Sequence, residues 1–180
     1  MDSEKSHNQI ELTISKTKLP GVLLIKPATV FEDFRGSYIE LYNEEIYKST
    51  GILVDFKQDD ISTSKKNVLR GIHGDSKTWK LVSCLFGRFY LVVVDCKKDS
   101  KQFRQWESFE LSDVNREQVL IPPGFGNGHL VLSERAIFHY KQSTYYDRES
   151  QFTYLWNDPE LNISWPINNP ILSVRDSGGE

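Results

Sequence analysis

An arginine and a histidine three positions apart close the run Val68-Leu69-Arg70-Gly71-Ile72-His73, and a lysine opens the next, Lys80-Leu81-Val82. Arginine and lysine can neutralise a phosphate. A neutral imidazole can accept a proton near neutral pH because its ordinary pKa is about 6.5. Together these groups describe a site that holds a phosphorylated ligand and moves one proton on it. Strand geometry opposes the idea, since residues an odd number of places apart face opposite sides. Joint action of Arg70 and His73 needs a bulge or a strand end between them, which Gly71 permits. Taken alone, a histidine at a strand end is as readily structural or exposed.

Three further segments carry candidate groups. Ile121-Pro122-Pro123-Gly124-Phe125-Gly126-Asn127-Gly128-His129 is rich in glycine and proline and reads as a loop, with Asn127 and His129 at its tip. Residues Ala136 to Gln142 alternate as a strand. Ala136, Phe138, Tyr140 and Gln142 share one face, and Ile137, His139 and Lys141 the other. Tyr140 is then either a core tyrosine or a proton donor at a cavity wall, and His139 an outer-face residue. Asp176, after Leu172-Ser173-Val174-Arg175, is either a solvated carboxylate or the partner that fixes a histidine's tautomer and steadies its imidazolium form.

The elements that must position these groups are mostly strands. Apolar runs at Val22 to Ile25, Tyr38 to Tyr42, Lys80 to Phe86, Phe89 to Val94, Gln118 to Ile121, His129 to Leu132 and Ala136 to Gln142 are short and rich in β-branched and aromatic residues. Turn signals separate them. Such a series predicts an antiparallel sandwich or barrel. Asn43 to Thr50 reads as a helix with Glu44 and Glu45 near its positive end. Phe89 to Val94 is apolar on both faces and should be buried on both.

The chain has 180 residues, which suits a single domain, with tails expected over residues 1–9 and 177–180. A formal net charge of -3 gives no global basic field for nucleic acid or an anionic membrane. Two cysteines, not in a Cys-x-x-Cys pair, argue against a disulfide framework or a structural zinc. No stretch reads as a signal peptide or a membrane span, so a cytoplasmic protein is expected.

Taken in order, several motifs resemble the dTDP-4-dehydrorhamnose 3,5-epimerase family. They are Phe31-Glu32-Asp33-Phe34-Arg35-Gly36 with Glu40, Gln58-Asp59-Asp60-Ile61-Ser62, Leu69-Arg70-Gly71-Ile72-His73 and Lys80-Leu81-Val82. They continue through Ile121-Pro122-Pro123-Gly124-Phe125, Val131-Leu132-Ser133, Tyr140-Lys141, Trp156-Asn157-Asp158-Pro159, Trp165-Pro166 and Leu172-Ser173-Val174-Arg175-Asp176. The resemblance implies an all-β, cupin-like jelly-roll barrel of antiparallel strands with one or two short helices. It implies a homodimer, no cofactor or metal, and epimerisation at C3, C5 or both beside the 4-keto group of a nucleoside-diphosphate sugar. Residue by residue, it makes His73 the general base, Tyr140 the general acid and Asp176 the partner of His73. Arg35, Glu40, Gln58, Asp60, Arg70 and Lys80 fall at substrate-binding positions, the N-terminal strands often serving the neighbouring subunit's site.

The chain also departs from the family. Gly74-Asp75 replaces an aromatic and a glutamine after the histidine. Asn127 replaces a substrate-binding histidine, for which His129 is a substitute. Gln151 stands for a glutamate and Arg175 for a lysine. These variants are similar to the branch acting on GDP-linked 4-keto heptoses in capsule pathways, which makes that sugar the expected substrate ahead of dTDP-4-keto-6-deoxyglucose. Two other classes compete with an epimerase: a metal-dependent cupin enzyme, disfavoured by the lack of a His-x-His pair beside His73, and a non-catalytic nucleotide-sugar-binding barrel.

Overall fold

The computed structural model describes residues 11–27 and 29–179; the expected tail over residues 1–9 lies outside the described residues. The strands are β1 (Thr13–Lys16), β2 (Leu23–Lys26), β3 (Thr29–Asp33), β4 (Gly36–Glu40), β5 (Gln58–Lys65), β6 (Leu69–Gly74), β7 (Lys80–Phe86), β8 (Arg88–Asp95), β9 (Trp106–Ser112), β10 (Gln118–Ile121), β11 (Phe125–Val131), β12 (Arg135–Gln142) and β13 (Phe152–Thr153). One short helix, α1 (Glu44–Ser49), follows β4. Asn43 caps it by accepting from the Glu45 and Ile46 amides at 3.1 and 3.3 Å.

The strands pair antiparallel in two main sheets, in the orders β1-β2-β10-β7-β12-β5 and β13-β6-β11-β8-β9. The sheets face one another as a jelly-roll, the expected all-β architecture. Their inner faces share one core, with Val82, Cys84, Val119 and Phe138 from the first sheet against Phe89, Leu91, Val93 and Leu111 from the second. Each large side chain buried there contributes about 1.5–3 kcal/mol. Strand β8 is buried on both faces as its sequence predicts. Phe89, Leu91 and Val93 point inward, while Val92 and Val94 pack with Ile72, Leu161 and Trp165 on the outside.

The segment 125–129 is not a loop. It belongs to β11, which lies between β6 and β8. Glycine usually weakens a strand, but here it is required by close packing. A Cβ on Gly126 would stand 2.6 Å from Ile72 Cγ2, and one on Gly128 2.7 Å from Ile72 Cδ1. Pro122 to Gly124 remain as the turn.

Strands β3 and β4 form a separate two-stranded sheet, with Phe34 and Tyr38 exposed. At the other end, Ser177 to Gly179, expected as a tail, continue a turn. The Ser177 amide donates to Ser173 O at 3.0 Å and the Gly179 amide to Val174 O at 2.9 Å. That turn fixes Asp176 under the main sheets, where a free tail could not. No helix among the described residues is long and apolar enough to cross a membrane. Cys84 and Cys96 are free thiols.

Candidate active site

The odd spacing of Arg70 and His73 is resolved by the pairing of β6 with β11. From Asn127 to His129 β11 advances two residues, while β6 advances three from His73 back to Arg70. The additional residue is a bulge at Gly71, whose φ is 118°. A Cβ there would stand 2.5 Å from Gly128 Cα. The bulge turns Arg70 and His73 to the same side, both into a cavity of about 650 Å³.

Asp176 comes to His73 from the C-terminal turn. Its Oδ1 is 2.7 Å from His73 Nε2, off the line of a straight N–H hydrogen bond and within ion-pair distance. Gly71 N donates to the same oxygen at 3.3 Å, and Ser173 Oγ donates to Oδ2 at 2.7 Å. Burial would raise the Asp176 pKa. The contacts with His73, Ser173 and the Gly71 amide outweigh it, holding the carboxyl below its ordinary value.

The opposite wall comes from the other sheet. Tyr140 and Gln142 on β12, Gln58, Asp60 and Ser62 on β5 and Lys80 on β7 all line the cavity. The candidate base and the candidate acid thus sit on different sheets and face one space. Asp60 Oδ2 accepts from Gln58 Nε2 and Gln142 Nε2, both at 2.7 Å, which fixes its carboxylate beside Tyr140. Burial, then the charges of Asp60 and Tyr146, push the Tyr140 pKa up to about 12. Tyr140 is therefore a proton carrier at neutral pH.

Lys80 is 7 % exposed and donates from Nζ to Asn127 Oδ1 at 3.3 Å. Burial lowers its pKa, Asp75 works to raise it and Arg175 lowers it again. His129 lies deeper. Its ring stacks on Phe138 at 4.1 Å between centroids, with 9° between planes. Burial, with help from Arg70, lowers its pKa to about 3. It stands in the cavity floor as a neutral imidazole whose Nε2 has no hydrogen-bond partner among the described residues.

Most of the expected residues meet here. His73, Tyr140, Asp176, Gln58, Asp60, Arg70, Lys80, Asn127, His129, Gln151 and Arg175 all line one cavity. Arg35 and Glu40 do not. They sit on the β3–β4 hairpin, which pairs with neither main sheet, and Arg35 donates two hydrogen bonds to Asp33 Oδ2 at 3.0 and 2.6 Å. His139 faces outward as expected, 2.9 Å from Asp59.

Sequence reasoning missed Ser62, Gln142, Tyr146, Arg148 and Ser173. Ser62 and Gln142 were legible in principle, because each shares strand parity with a residue already singled out. Tyr146 and Arg148 lie on an irregular loop, where no periodicity marks them. Gly74 and Asp75 do not line the cavity. Gly74 makes room for Phe125 O and the Phe152 ring, and Asp75 caps the turn before β7.

Chemically, the site offers a base, a protonated acid across from it, and cations surplus to the carboxylates. Among the described residues no group of three His, Cys, Asp or Glu side chains is arranged to hold a metal ion.

The sequence profile of the dTDP-4-dehydrorhamnose 3,5-epimerases matches residues 16–180. The chain is 43% identical over 171 residues to the dTDP-4-dehydrorhamnose 3,5-epimerase of Salmonella typhimurium, covering 92% of this chain and 93% of that one. The crystal structure of a dTDP-6-deoxy-D-glucose-3,5-epimerase from Legionella pneumophila, in complex with dTDP-4-keto-L-rhamnose, superimposes with a TM-score of 0.88 at 38% identity. It covers 94% of this chain and 92% of the other. The Bacillus anthracis dTDP-4-dehydrorhamnose 3,5-epimerase, with TDP and PPi bound, gives 0.89 at 35% identity, covering 94% and 98%. With profile, sequence and fold in agreement over nearly the whole chain, the protein belongs to the dTDP-4-dehydrorhamnose 3,5-epimerase family and is a carbohydrate isomerase.

Proposed function

We propose that the protein inverts one or both stereocentres flanking the ketone of a nucleoside-diphosphate 4-keto sugar, by proton removal and return. The observation that carries this reading is that His73 and Tyr140 face one cavity from opposite sheets. A carbon beside a ketone is acidic because its anion delocalises onto oxygen as an enolate. His73 takes the proton on one ring face, and Asp176 steadies the imidazolium that results. The buried Lys80 ammonium offsets the enolate's negative charge. Tyr140 then delivers a proton to the other face, which inverts the centre, while Arg70 and Arg175 hold the diphosphate.

The narrower substrate reading starts from the relatives, whose names and bound ligands are dTDP-linked. This chain departs from their family's pattern at Asp75, Asn127, Gln151 and Arg175, and the last three line the cavity. Those departures support a GDP-linked 4-keto heptose over dTDP-4-keto-6-deoxyglucose. Arg35 and Glu40 then act in the cavity of a second copy, their hairpin crossing a homodimer interface.

NMR of the reaction in deuterium oxide tests the reaction and its sugar, with the GDP-4-keto-heptose and the dTDP-4-keto sugar in parallel. Deuterium entering C3, C5 or both of the heptose is the expected result. Turnover of the dTDP sugar alone removes the heptose reading, and exchange in neither removes both sugars as substrates of this site.

A further inference from the structure

Arg70 is exposed at the cavity wall, and a long exposed arginine ordinarily samples many rotamers. Here both ends of the side chain are held. Its backbone stands immediately before the bulge, where the Gly71 amide donates to Asp176 Oδ1 at 3.3 Å. Its Nε donates to Ser64 Oγ at 3.0 Å, the guanidinium's one hydrogen bond among the described residues. Ser64 lies on β5, at the edge of the other main sheet, so the bond crosses from sheet to sheet. Gln58, Asp60, Ser62 and Ser64 alternate along one face of β5. The first three line the cavity, whereas Ser64 is 6% exposed and is not part of the lining. Its cross-strand neighbour on β12 is Ala136, which offers no side-chain group to compete for the hydroxyl.

We propose that Ser64 is the positioning residue for Arg70, fixing the plane of its guanidinium so that the two terminal nitrogens meet a substrate phosphate as a fork. A guanidinium is planar, and its Nε–H lies in the same plane as the donors on Nη1 and Nη2. Tying the Nε–H to a buried hydroxyl therefore leaves little freedom to the terminal donors, which have no protein partner among the described residues. The carboxylates lining the same cavity are already engaged, Asp176 by His73, Ser173 and the Gly71 amide, Asp60 by Gln58 and Gln142. Arg70 thus keeps its charge for an anion. Its fork is oriented before the ligand arrives, so binding does not lose the entropy of ordering it. This deepens the epimerase reading and rests on it for the ligand, the diphosphate of a nucleoside-diphosphate sugar.

The test compares wild type with Ser64→Ala, which removes a single oxygen from the strand. GDP, dTDP and inorganic pyrophosphate are each titrated into both proteins by calorimetry. Ser64→Ala is expected to weaken binding of whichever probes the wild type holds by about tenfold. For the sugar that exchanges, KM rises by the same factor while kcat stays within about twofold. In ligand-free protein the Arg70 Hε resonance, identified by its loss in Arg70→Lys, exchanges with water faster in Ser64→Ala than in wild type. Affinity within about twofold of wild type overturns the proposal. An unchanged Hε exchange rate overturns it too, since any loss of binding would then run through another group. If Ser64→Ala does not fold, Ser64→Cys, whose thiol is a weak acceptor, is judged by the same criteria. A wild-type protein that binds none of the three probes overturns the diphosphate role of Arg70 and this proposal together. Equal binding by wild type and variant overturns the proposal alone.

Discussion

Asp176 stands 2.7 Å from His73 Nε2, carried there by a turn at the far end of the chain, and its second oxygen is held by Ser173. The carboxylate is therefore aimed before any ligand arrives. Asp176→Asn keeps the shape and removes the charge that steadies the imidazolium. We expect its deuterium-exchange rate to fall by about 10²-fold, within the range of positioned acid–base groups, with KM little changed. A rate within a factor of about two of wild type would remove Asp176 from the proton-transfer machinery.

The division of labour between the two sheets gives a sharper test. His73→Asn should stop deuterium entering the sugar, a loss of at least about 10²-fold. Tyr140→Phe should leave abstraction partly intact and impair inversion, so that exchange with retention exceeds exchange with inversion. The two variants are compared by NMR on one substrate. Equal loss of exchange in both would assign the proton removal to more than His73.

Acid stability should fall in two windows. His129 has a folded pKa near 3 against an ordinary 6.5. The unfolded chain therefore binds the extra proton first, and stability is lost as pH falls from about 6.5 toward 3, by up to a few kcal/mol. Asp176 has a folded pKa below its ordinary 3.8. Its contribution is present above 3.8 and lost as pH falls through the folded value. Urea midpoints between pH 7 and 4 should decline in wild type and be flatter in His129→Leu. Parallel curves would mean that His129 does not carry the first window.

The crossing of β6 and β11 leaves no space for a methyl group at Gly71. Gly71→Ala puts a Cβ 2.5 Å from Gly128 Cα at a φ of 118°, and should cost about 2–4 kcal/mol. Gly128→Ala meets the end of the flexible Ile72 side chain at 2.7 Å and the Arg70 carbonyl oxygen at 3.0 Å, without a positive φ, and should cost less, about 1–3 kcal/mol. Chemical denaturation gives both values, and the reverse order would contradict the packing.

The β3–β4 hairpin predicts complementation between subunits. Arg35→Ala and His73→Asn are each expected to be inactive. If Arg35 serves a partner's cavity, co-refolded mixtures recover activity at about one quarter of the wild-type level, because half the random dimers carry one intact site of two. No recovery from a mixture shown to be dimeric would confine Arg35 to its own subunit.

The strands built from short continuous apolar runs are legible from sequence. Lys80 to Phe86 and Gln118 to Ile121 match β7 and β10 end to end, because most of their side chains are buried on both faces. The end of β11, from His129, reads as a strand in the sequence, and its first half reads as a loop because glycine is usually a breaker. Here Gly126 and Gly128 answer to Ile72, a contact invisible until β6 and β11 are side by side. The bulge at Gly71 was foreseen as a need, since two groups of opposite parity had to share a cavity. Tyr146 and Arg148 could not be foreseen, because nothing local distinguishes a loop residue that faces a cavity from one that faces solvent.

The stacked rings of His129 and Phe138, with Phe89 at 5.3 and 5.2 Å, bridge the two sheets beneath the site. The acid–base gap is thus inherited from the thickness of this aromatic wedge. Shaving or swelling the wedge would move Tyr140 relative to His73 without altering either. Laboratory selection for a changed choice of stereocentre should then yield substitutions at Phe89 and Phe138, residues of a hydrophobic spacer that works as the instrument's adjusting screw.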